Sequence, residues 1–384
     1  MRRGFRRRPL VVAVLGALVP LAGLAAPAAH AVLEPPPAPF LPEAASTPAP
    51  PPTVTAAAWA LVDARSGQVL DGRGIDEPRP VASTIKLLTA LTVIERVGFD
   101  QTVVVADGVS AGGGAATSVD PGEAWTIRDL LAAMLVRSGN DAAEALAIHV
   151  GGSIDGFVEL MRHDAAVLGV SPVLVTPSGL DDANRLTARD LATVARAFLA
   201  NEQLAAIAAL PTVTLPDIGS VPTRNLLLEQ YPDATGLKTG FTSASGYSVV
   251  GSATRDGRTL VTVVLGADSE QSRFDDAALL LDHGFAAFDE VRVGRASRLR
   301  EGGRWVEVAT DPAWVTVPAG TDVVVGWRLP RRPDQPGEAV VTVPRADPVT
   351  LAATANAPAR VPTVATWVRD RLHEALRMAA ANGP

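Results

Sequence analysis

The order of strand-like and helix-like segments is the feature that most limits how this chain can fold. Alternating apolar residues predict strands near residues 56–71 and again at 246–267, where "RDG" between two apolar runs favours a hairpin. Between them, "TIRDLLAAMLVR" (126–137) and "TARDLATVARAFLA" (187–200) have helical periodicity, and Thr126 and Thr187 are expected to be the N-caps of these helices. A doubly wound fold would alternate strand and helix throughout. The observed order instead predicts an α/β (α+β) fold. Strands from the first and last parts of one domain form an antiparallel sheet, helices cover this sheet, and the segment between the strands forms a helical subdomain.

The ends of the chain differ from this central domain, which we assign to residues 55–290. Residues 1–31 combine five arginines, an apolar run and "AHA", which predicts a cleaved signal peptide and export to the cell envelope or secretion; a retained membrane anchor is the alternative. Proline-rich residues 32–54 predict an extended linker. Short alternating strands predict a small β-domain at 291–358. Residues 359–384 predict an amphipathic helix that either packs on its own domain or makes a peripheral membrane contact.

Composition excludes several kinds of site and partner. The chain has no cysteine, which excludes disulfides, thiolate catalysis and cysteine-ligated metals. None of its five histidines is paired at helical metal-ligand spacing, so we expect no metal and no cofactor. Removal of residues 1–31 takes five of the 34 basic residues, leaving 29 against 41 acidic ones, a net charge of −12. Such a chain is not expected to bind nucleic acid, which requires a basic face.

Lysine is almost absent from the chain. Of the 34 Lys and Arg residues only Lys86 and Lys238 are lysines, which leaves 32 arginines. A guanidinium group stays protonated in proteins, whereas an ammonium group loses its proton when burial or a neighbouring cation lowers its pKa. The two lysines therefore suggest an amine that acts as a base or as a compact charge. Random retention in an arginine-rich chain is the alternative.

Three short motifs surround these lysines. Ser83 precedes Lys86 by three residues, which on a helix places both side chains on one face, with Ser83 near the helix N-terminus. A serine needs a base to become a nucleophile, and a neutral lysine can be that base. "SGN" (138–140) begins 55 residues after Ser83, and "KTG" (238–240) begins 100 residues later, just before the returning strands. Random retention does not predict that both lysines fall inside such motifs.

S-x-x-K, S-x-N and K-T-G in this order resemble the motifs of the penicillin-recognising serine enzymes. Within that superfamily, about residues 56–290 are similar to the D-alanyl-D-alanine carboxypeptidases, the low-molecular-mass penicillin-binding proteins. The resemblance implies a β-lactamase/transpeptidase-like fold and a serine enzyme that removes the terminal D-alanine from peptidoglycan stem peptides. It also implies an acyl-enzyme intermediate and covalent inhibition by β-lactams. A D,D-endopeptidase, or a non-catalytic penicillin-binding sensor on the same fold, is the alternative.

The resemblance further implies a role for each motif residue. Ser83 is expected to be the nucleophile, Lys86 its base, and Ser138 the relay of a proton to the leaving amine. Asn140 is expected to hold the substrate amide. The backbone N–H groups of Ser83 and Phe241 are expected to form the oxyanion hole. Lys238 and Thr239 are expected to meet the substrate carboxylate, and Gly240 is expected to let the substrate backbone approach the strand closely. Arg224 and Arg273 match family arginines near the carboxylate pocket, with ordinary surface arginines as the alternative. Outside this set the chain departs from the family at Arg162, where asparagine is frequent, and at Asn184 and Arg185, near a frequent histidine, which puts peptide preference in doubt.

Two rival interpretations fit the sequence less well. "GVSAG" (108–112) satisfies the G-x-S-x-G motif of α/β-hydrolases, but "GGAATS" follows where a helix is required, and the chain lacks parallel βαβ units. We therefore expect a loop there. A class A β-lactamase would need a glutamate in the segment 167–185 to activate water for deacylation, and that segment contains none.

Substitution of Lys86 by arginine tests why lysine is retained. Lys86→Arg keeps the positive charge but replaces an amine that can be neutral by a group that cannot, so we expect acylation of Ser83 to be abolished. Covalent labelling by a fluorescent penicillin measures it. Full labelling of the variant would remove this explanation for the lysine.

Overall fold

The computed structural model describes residues 50–109, 115–215, 218–294, 297–301, 304–320, 323–328, 337–342 and 349–355. The predicted signal peptide, the linker up to residue 49 and the C-terminal helix at 359–384 lie outside the described residues. Residues 110–112 of the G-x-S-x-G stretch lie outside them as well. The described residues of that stretch, Gly108 and Val109, and those after it, 115–119, belong to neither helix nor strand.

The helices of the described residues are α1 (Lys86–Ile94), α2 (Ile127–Val136), α3 (Asn140–Gly151), α4 (Ile154–Val167), α5 (Ala188–Ala200), α6 (Glu202–Ala208), α7 (Leu227–Gln230) and α8 (Glu270–Ala287). A 3₁₀ turn, Ala82–Ile85, leads into α1. The strands are β1 (Ala58–Asp63), β2 (Val69–Arg73), β3 (Arg79–Pro80), β4 (Thr102–Val104), β5 (Ala124–Thr126), β6 (Arg185–Leu186), β7 (Thr212–Leu215), β8 (Gly219–Pro222), β9 (Ala234–Thr242), β10 (Gly246–Arg255), β11 (Arg258–Ala267), β12 (Phe288–Val293), β13 (Ser297–Glu301), β14 (Arg304–Thr310), β15 (Ala313–Pro318), β16 (Val324–Arg328), β17 (Gly337–Thr342) and β18 (Val349–Ala355).

The central sheet joins the two ends of the main domain, as the sequence predicts. Its strand order is β2-β1-β11-β10-β9, and its pairs are antiparallel. The turn between β10 and β11 is formed by Asp256 and Gly257, both at positive φ (52° and 77°), which matches the twist of a two-residue hairpin. Strand β1, early in the chain, pairs with β11 near the end of the domain, with Trp59 opposite Val264. The predicted fold class is confirmed.

The sheet is buried on both faces, which explains the nearly continuous apolar runs of its inner strands. Side chains alternate between the two faces of a strand. In β1, Ala60 and Val62 face the helical subdomain and its core, which includes Phe198 of α5. Trp59 and Leu61 face the opposite core, built on α8. Each β1 residue is buried, and its charged residue, Asp63, pairs with Arg258 at 3.1 Å, as a buried charge requires.

The N-termini of α2 and α5 are capped by the threonine side chains that the sequence predicts. The side chain of Thr126 accepts a hydrogen bond from the backbone N–H of Asp129 at the start of α2. Thr187 and Asp190 form a reciprocal capping box at the start of α5. Among the described residues, none of the helices is both long enough and apolar enough to span a bilayer.

A second β region follows α8. Strands β12 and β15 form a two-stranded sheet, and a five-stranded antiparallel sheet has the order β13-β14-β18-β17-β16. The first of these sheets contacts the β1–β2 turn, where the Thr316 N–H donates to Gln68 Oε1 at 3.3 Å. Arg65 pairs with Glu290 at 3.2 Å in the same place.

The segment that enters the main domain is fastened to α8 by one buried carboxylate. Asp276 accepts hydrogen bonds from the N–H and hydroxyl of Thr55 (3.1 and 2.8 Å) and from the N–H of Ala56 (2.9 Å). The contacts satisfy two backbone donors at the point where the chain joins the sheet. They span more than 200 residues of sequence, so they tie the first part of the domain to its last helix.

Loss of this carboxylate should destabilise the domain. Asp276→Ala leaves backbone donors without their acceptor, so we expect the free energy of unfolding to fall by about 2 kcal/mol. Urea unfolding measures the difference. The matched control is Asp275→Ala, an exposed neighbour on the same helix, which should change stability by less than about 0.5 kcal/mol. Equal unfolding midpoints for the two variants would show that the anchor contributes nothing.

Candidate active site

A completely buried lysine lies at the centre of the site. Lys86 is 0% exposed, and its Nζ donates to Ser83 Oγ (2.8 Å), Asn140 Oδ1 (2.7 Å) and the carbonyl of Ser178 (2.6 Å). Ser83 lies in the 3₁₀ turn and Lys86 is the first residue of α1, so the turn and helix hold the two side chains on one face. The short distance allows a proton to pass from the hydroxyl to the amine once the amine is neutral.

Burial lowers the pKa of Lys86 to about 7, because an ammonium loses hydration that the site does not fully replace. The carboxylate of Asp141 opposes this shift, and the guanidinium of Arg224 adds to it by repulsion. Burial also holds the pKa of Lys238 well below its usual value, with the neighbouring charge of Lys86 as the next cause. A neutral amine is therefore accessible near neutral pH, as a general base requires.

The S-G-N motif is positioned by unusual backbone geometry between α2 and α3. Ser138 has a φ of 68°, and its Oγ accepts a hydrogen bond from Lys238 Nζ at 3.0 Å. A Cβ on Gly139 would lie 2.4 Å from Thr117 Oγ1, so the close approach of these segments requires glycine. Asn140 begins α3 and directs its side chain to Lys86. Strained backbone of this kind is typical of functional sites.

The K-T-G motif lies on β9, the edge strand of the central sheet. A Cβ on Gly240 would stand 3.2 Å from the backbone nitrogen of Ser83, so the glycine lets the strand pass directly beside the nucleophile. Strand β9 pairs with β10 on one side, with Phe241 opposite Tyr247. No strand of the described residues covers its other edge, which is free to meet an extended ligand.

The predicted site residues meet in one cleft. All of them line it except Lys86 and Lys238, which are buried and contact the cleft through Ser83 and Ser138. Arg224 and Arg273 both lie in the lining, although the sequence alone gave no more reason to place them there than on the surface. The resulting cluster of cations suits a carboxylate.

Sequence reasoning missed two residues that shape this cleft. Gly179 has a φ of 78°, and a Cβ there would lie 2.0 Å from the carbonyl oxygen of Ala82, so this loop reaches the nucleophile only with glycine. Asp141 is buried and accepts hydrogen bonds from the N–H (2.6 Å) and hydroxyl (2.8 Å) of Thr117. These bonds tie the segment that follows Ala115, a residue that lines the cleft, to α3. The glycine in "TPSGL" and the carboxylate directly after "SGN" were the available signals.

Departures from the family pattern hold the loop beside the nucleophile. The buried side chain of Asn184 accepts a hydrogen bond from the N–H of Val175 at 2.7 Å. Arg162 donates to the carbonyl of Leu174. Both contacts support the loop that carries the Ser178 carbonyl to Lys86. These positions therefore act on the shape of the cleft wall.

Comparison with known proteins agrees with this geometry. The model of the Peptidase S11 family, described as D-alanyl-D-alanine carboxypeptidase, matches residues 44–269. A D-alanyl-D-alanine carboxypeptidase of Mycobacterium tuberculosis is 39% identical over 246 residues, which cover 62% of this chain and 84% of that protein. Penicillin binding protein 5 from Haemophilus influenzae is similar in structure, with a TM-score of 0.74 and 27% identity over 81% of this chain and 99% of that one. Penicillin-Binding Protein D2 from Listeria monocytogenes, solved in a cefotaxime-bound form, has a TM-score of 0.56 and 30% identity over 62% of this chain and 100% of that one.

The lowered pKa of Lys86 predicts how acylation of Ser83 depends on pH. Only the neutral amine accepts the serine proton, so the acylation rate should fall about tenfold for each pH unit below about 7 and level off above about pH 8. Rate constants for acylation by a fluorescent penicillin between about pH 5 and 9 measure the profile.

Arg224→Gln is the companion variant for this profile. Removal of a cation that repels the Lys86 ammonium should raise the pKa of Lys86, so the rise in rate should move to higher pH. A profile without pH dependence in the parent protein would contradict a lysine base.

Proposed function

Because this chain belongs to the D-alanyl-D-alanine carboxypeptidase family of serine peptidases, Peptidase S11, we propose that it hydrolyses the terminal D-alanyl-D-alanine bond of peptidoglycan stem peptides through an acyl-Ser83 intermediate. The observation that carries the proposal is the 2.8 Å hydrogen bond between the buried Lys86 amine and the Ser83 hydroxyl, at the centre of a cleft lined by cations. It combines a nucleophile, a base with lowered pKa and a carboxylate site.

In the acylation step, neutral Lys86 accepts the hydroxyl proton of Ser83 as Oγ attacks the carbonyl carbon of the penultimate D-alanine. The carbonyl oxygen becomes an oxyanion, which the N–H groups of Ser83 and Phe241 would bind. Ser138 lies between Lys238 and the cleft, and its hydroxyl can pass a proton to the leaving nitrogen. Cleavage of the C–N bond then releases D-alanine and leaves an ester on Ser83.

The cationic side chains at one end of the cleft would bind the terminal carboxylate of the substrate. Arg273 donates to the carbonyl of Gly240 at 3.3 Å and so stands beside β9. Thr239 and Arg224 line the cleft with it, and buried Lys238 adds its charge from below. A peptide without a carboxylate next to the scissile amide would lose these contacts, so we expect it to be a poor substrate. Asn140, already bonded to Lys86, is positioned to hold the substrate amide.

Water completes the reaction by hydrolysing the ester. A β-lactam resembles the substrate in presenting an amide carbonyl and a carboxylate, so we propose that it acylates the same Ser83. The absence of a glutamate in segment 167–185 gives no dedicated base for removing that acyl group. Penicillins should therefore inhibit the enzyme and not serve as good substrates.

Sequence features at the ends of the chain support a location outside the cytoplasm. We propose that residues 1–31 direct export, that 32–54 form an extended linker before the catalytic domain, 55–290, and that 291–358 form a small β-domain after it. The arginine-led apolar run and the "AHA" site support export. Residues 359–384 either pack on the β-domain or make a peripheral membrane contact, since their apolar stripe allows both.

Release of D-alanine tests the proposal. Residues 32–384 are incubated with a peptide that ends in D-alanyl-D-alanine, and free D-alanine is measured. Release should occur with the parent protein and fall at least about 1,000-fold in Ser83→Ala, which lacks the nucleophile. Ser153→Ala is the control, because Ser153 caps α4 outside the cleft, and it should keep activity.

The other outcomes separate the alternatives. Covalent labelling of Ser83 by penicillin without D-alanine release would favour an endopeptidase or a sensor. The absence of both would favour a binding protein that retains the fold without the chemistry.

A further inference from the structure

A carboxylate stands at the rim of the cleft, beyond the oxyanion hole. Asp182 is exposed and accepts a hydrogen bond from the hydroxyl of Thr242, a residue that lines the cleft. In the part of the chain that the structure describes, no cationic side chain pairs with Asp182. Glu270, a carboxylate that lines the cleft itself, already pairs with Arg273 at 2.9 Å.

The two ends of the cleft differ in charge. Lys238 and Thr239 mark the cationic end along β9, and Phe241 marks the middle, next to Ser83. Thr242 follows as the last residue of the strand, and the Asp182 carboxylate stands beside it. Given the proposed function, on which this inference rests, the substrate carboxylate occupies the first end and its scissile carbonyl the middle. The residue before the penultimate D-alanine must then lie beside Thr242, because each residue of an extended peptide advances about 3.3 Å.

The loop that carries Asp182 is fixed in place. Asn184, two residues on, is buried and bonded to the N–H of Val175. The carboxylate of the preceding residue, Asp181, accepts from the N–H of Ala183 at 2.8 Å and so serves the loop itself. Asp182 in contrast reaches across to β9. It is thus a negative charge held at a defined position over the path of the substrate.

We propose that Asp182 binds a primary amine on the side chain of the third residue from the C-terminus of the stem peptide. The amine would pair with a carboxylate that keeps its hydrogen bond from Thr242. Leu180, two residues before Asp182, and Phe241, next to Thr242, both line the cleft. They are 44% and 51% exposed and suit the aliphatic stem that joins such an amine to the peptide backbone. Asp182 is therefore a specificity residue, outside the reacting groups.

Two peptides and two variants test this proposal. The peptides are Nα-acetyl-L-lysyl-D-alanyl-D-alanine, with a free side-chain amine, and its Nα,Nε-diacetyl form, in which that charge is removed. Asp182→Asn removes the negative charge but keeps an oxygen for the Thr242 hydroxyl. Asp181→Asn is the matched control, one residue away with the same loss of charge. We expect Asp182→Asn to lower kcat/KM for the free-amine peptide about fivefold, as for an exposed ion pair, and to leave the diacetyl peptide unchanged. Asp181→Asn should change neither.

The same losses on both peptides would mean that Asp182 only supports the loop, and no loss on either would mean that the amine is bound elsewhere; each result overturns the proposal. Protection of Ser83 from a fluorescent penicillin by the two peptides is measured alongside. If no D-alanine is released by the parent protein, the proposed function fails. In that case the amine site is still supported if the free-amine peptide protects Ser83 about fivefold better than the diacetyl peptide in the parent protein and this difference disappears in Asp182→Asn. Equal protection by the two peptides in the parent protein would overturn the proposal.

Discussion

Desolvation of one amine organises the site. Lys86 has no contact with solvent, and its hydrogen bonds to Ser83, Asn140 and the Ser178 carbonyl replace the lost water only in part. The elements that provide these acceptors are the 3₁₀ turn, the start of α3 and the loop after α4. Each must approach within hydrogen-bond distance of the same nitrogen, so the packing of the helical subdomain against the sheet determines the reactivity of the serine.

Glycine makes this convergence possible. Backbones meet at Gly139, Gly179 and Gly240, where a Cβ would stand 2.4, 2.0 and 3.0 Å from the nearest atom of another segment. The first belongs to the S-G-N motif and the last to K-T-G. Each motif therefore requires a glycine for close backbone packing as well as side chains that carry the chemistry. Substitution at such positions would push apart the groups that surround Lys86.

Sequence reasoning predicted the fold class and brought out the motif residues because both depend on patterns of residue type. The strand–helix–strand order, the "RDG" hairpin and the threonine caps each reflect local physics and appear in the structure as expected. The loop that carries Gly179 and Asp182 has no such periodicity, and its position depends on buried contacts from Asn184 that join residues distant from the motifs. Helix α1 also begins at Lys86, later than the pattern predicted, because Ala82 takes a positive φ of 46° and the next residues form a tight 3₁₀ turn. Contacts between segments that are distant in sequence, and the backbone conformation that they impose, cannot be predicted from the spacing of residue types along the chain.

The free edge of β9 has a consequence for association between molecules. An unpaired strand edge is a template on which the sheet of another chain can extend. Under the proposed function, the edge that no strand of the described residues covers is the one on which the substrate peptide binds, so a permanent strand there would block the site. Strand β9 carries a buried lysine and two glycines, Gly236 and Gly240, and its far end faces the carboxylate of Asp182. These residues make the edge a poor partner for a long apolar strand, so the features that admit a short peptide also protect the chain from aggregation through its sheet.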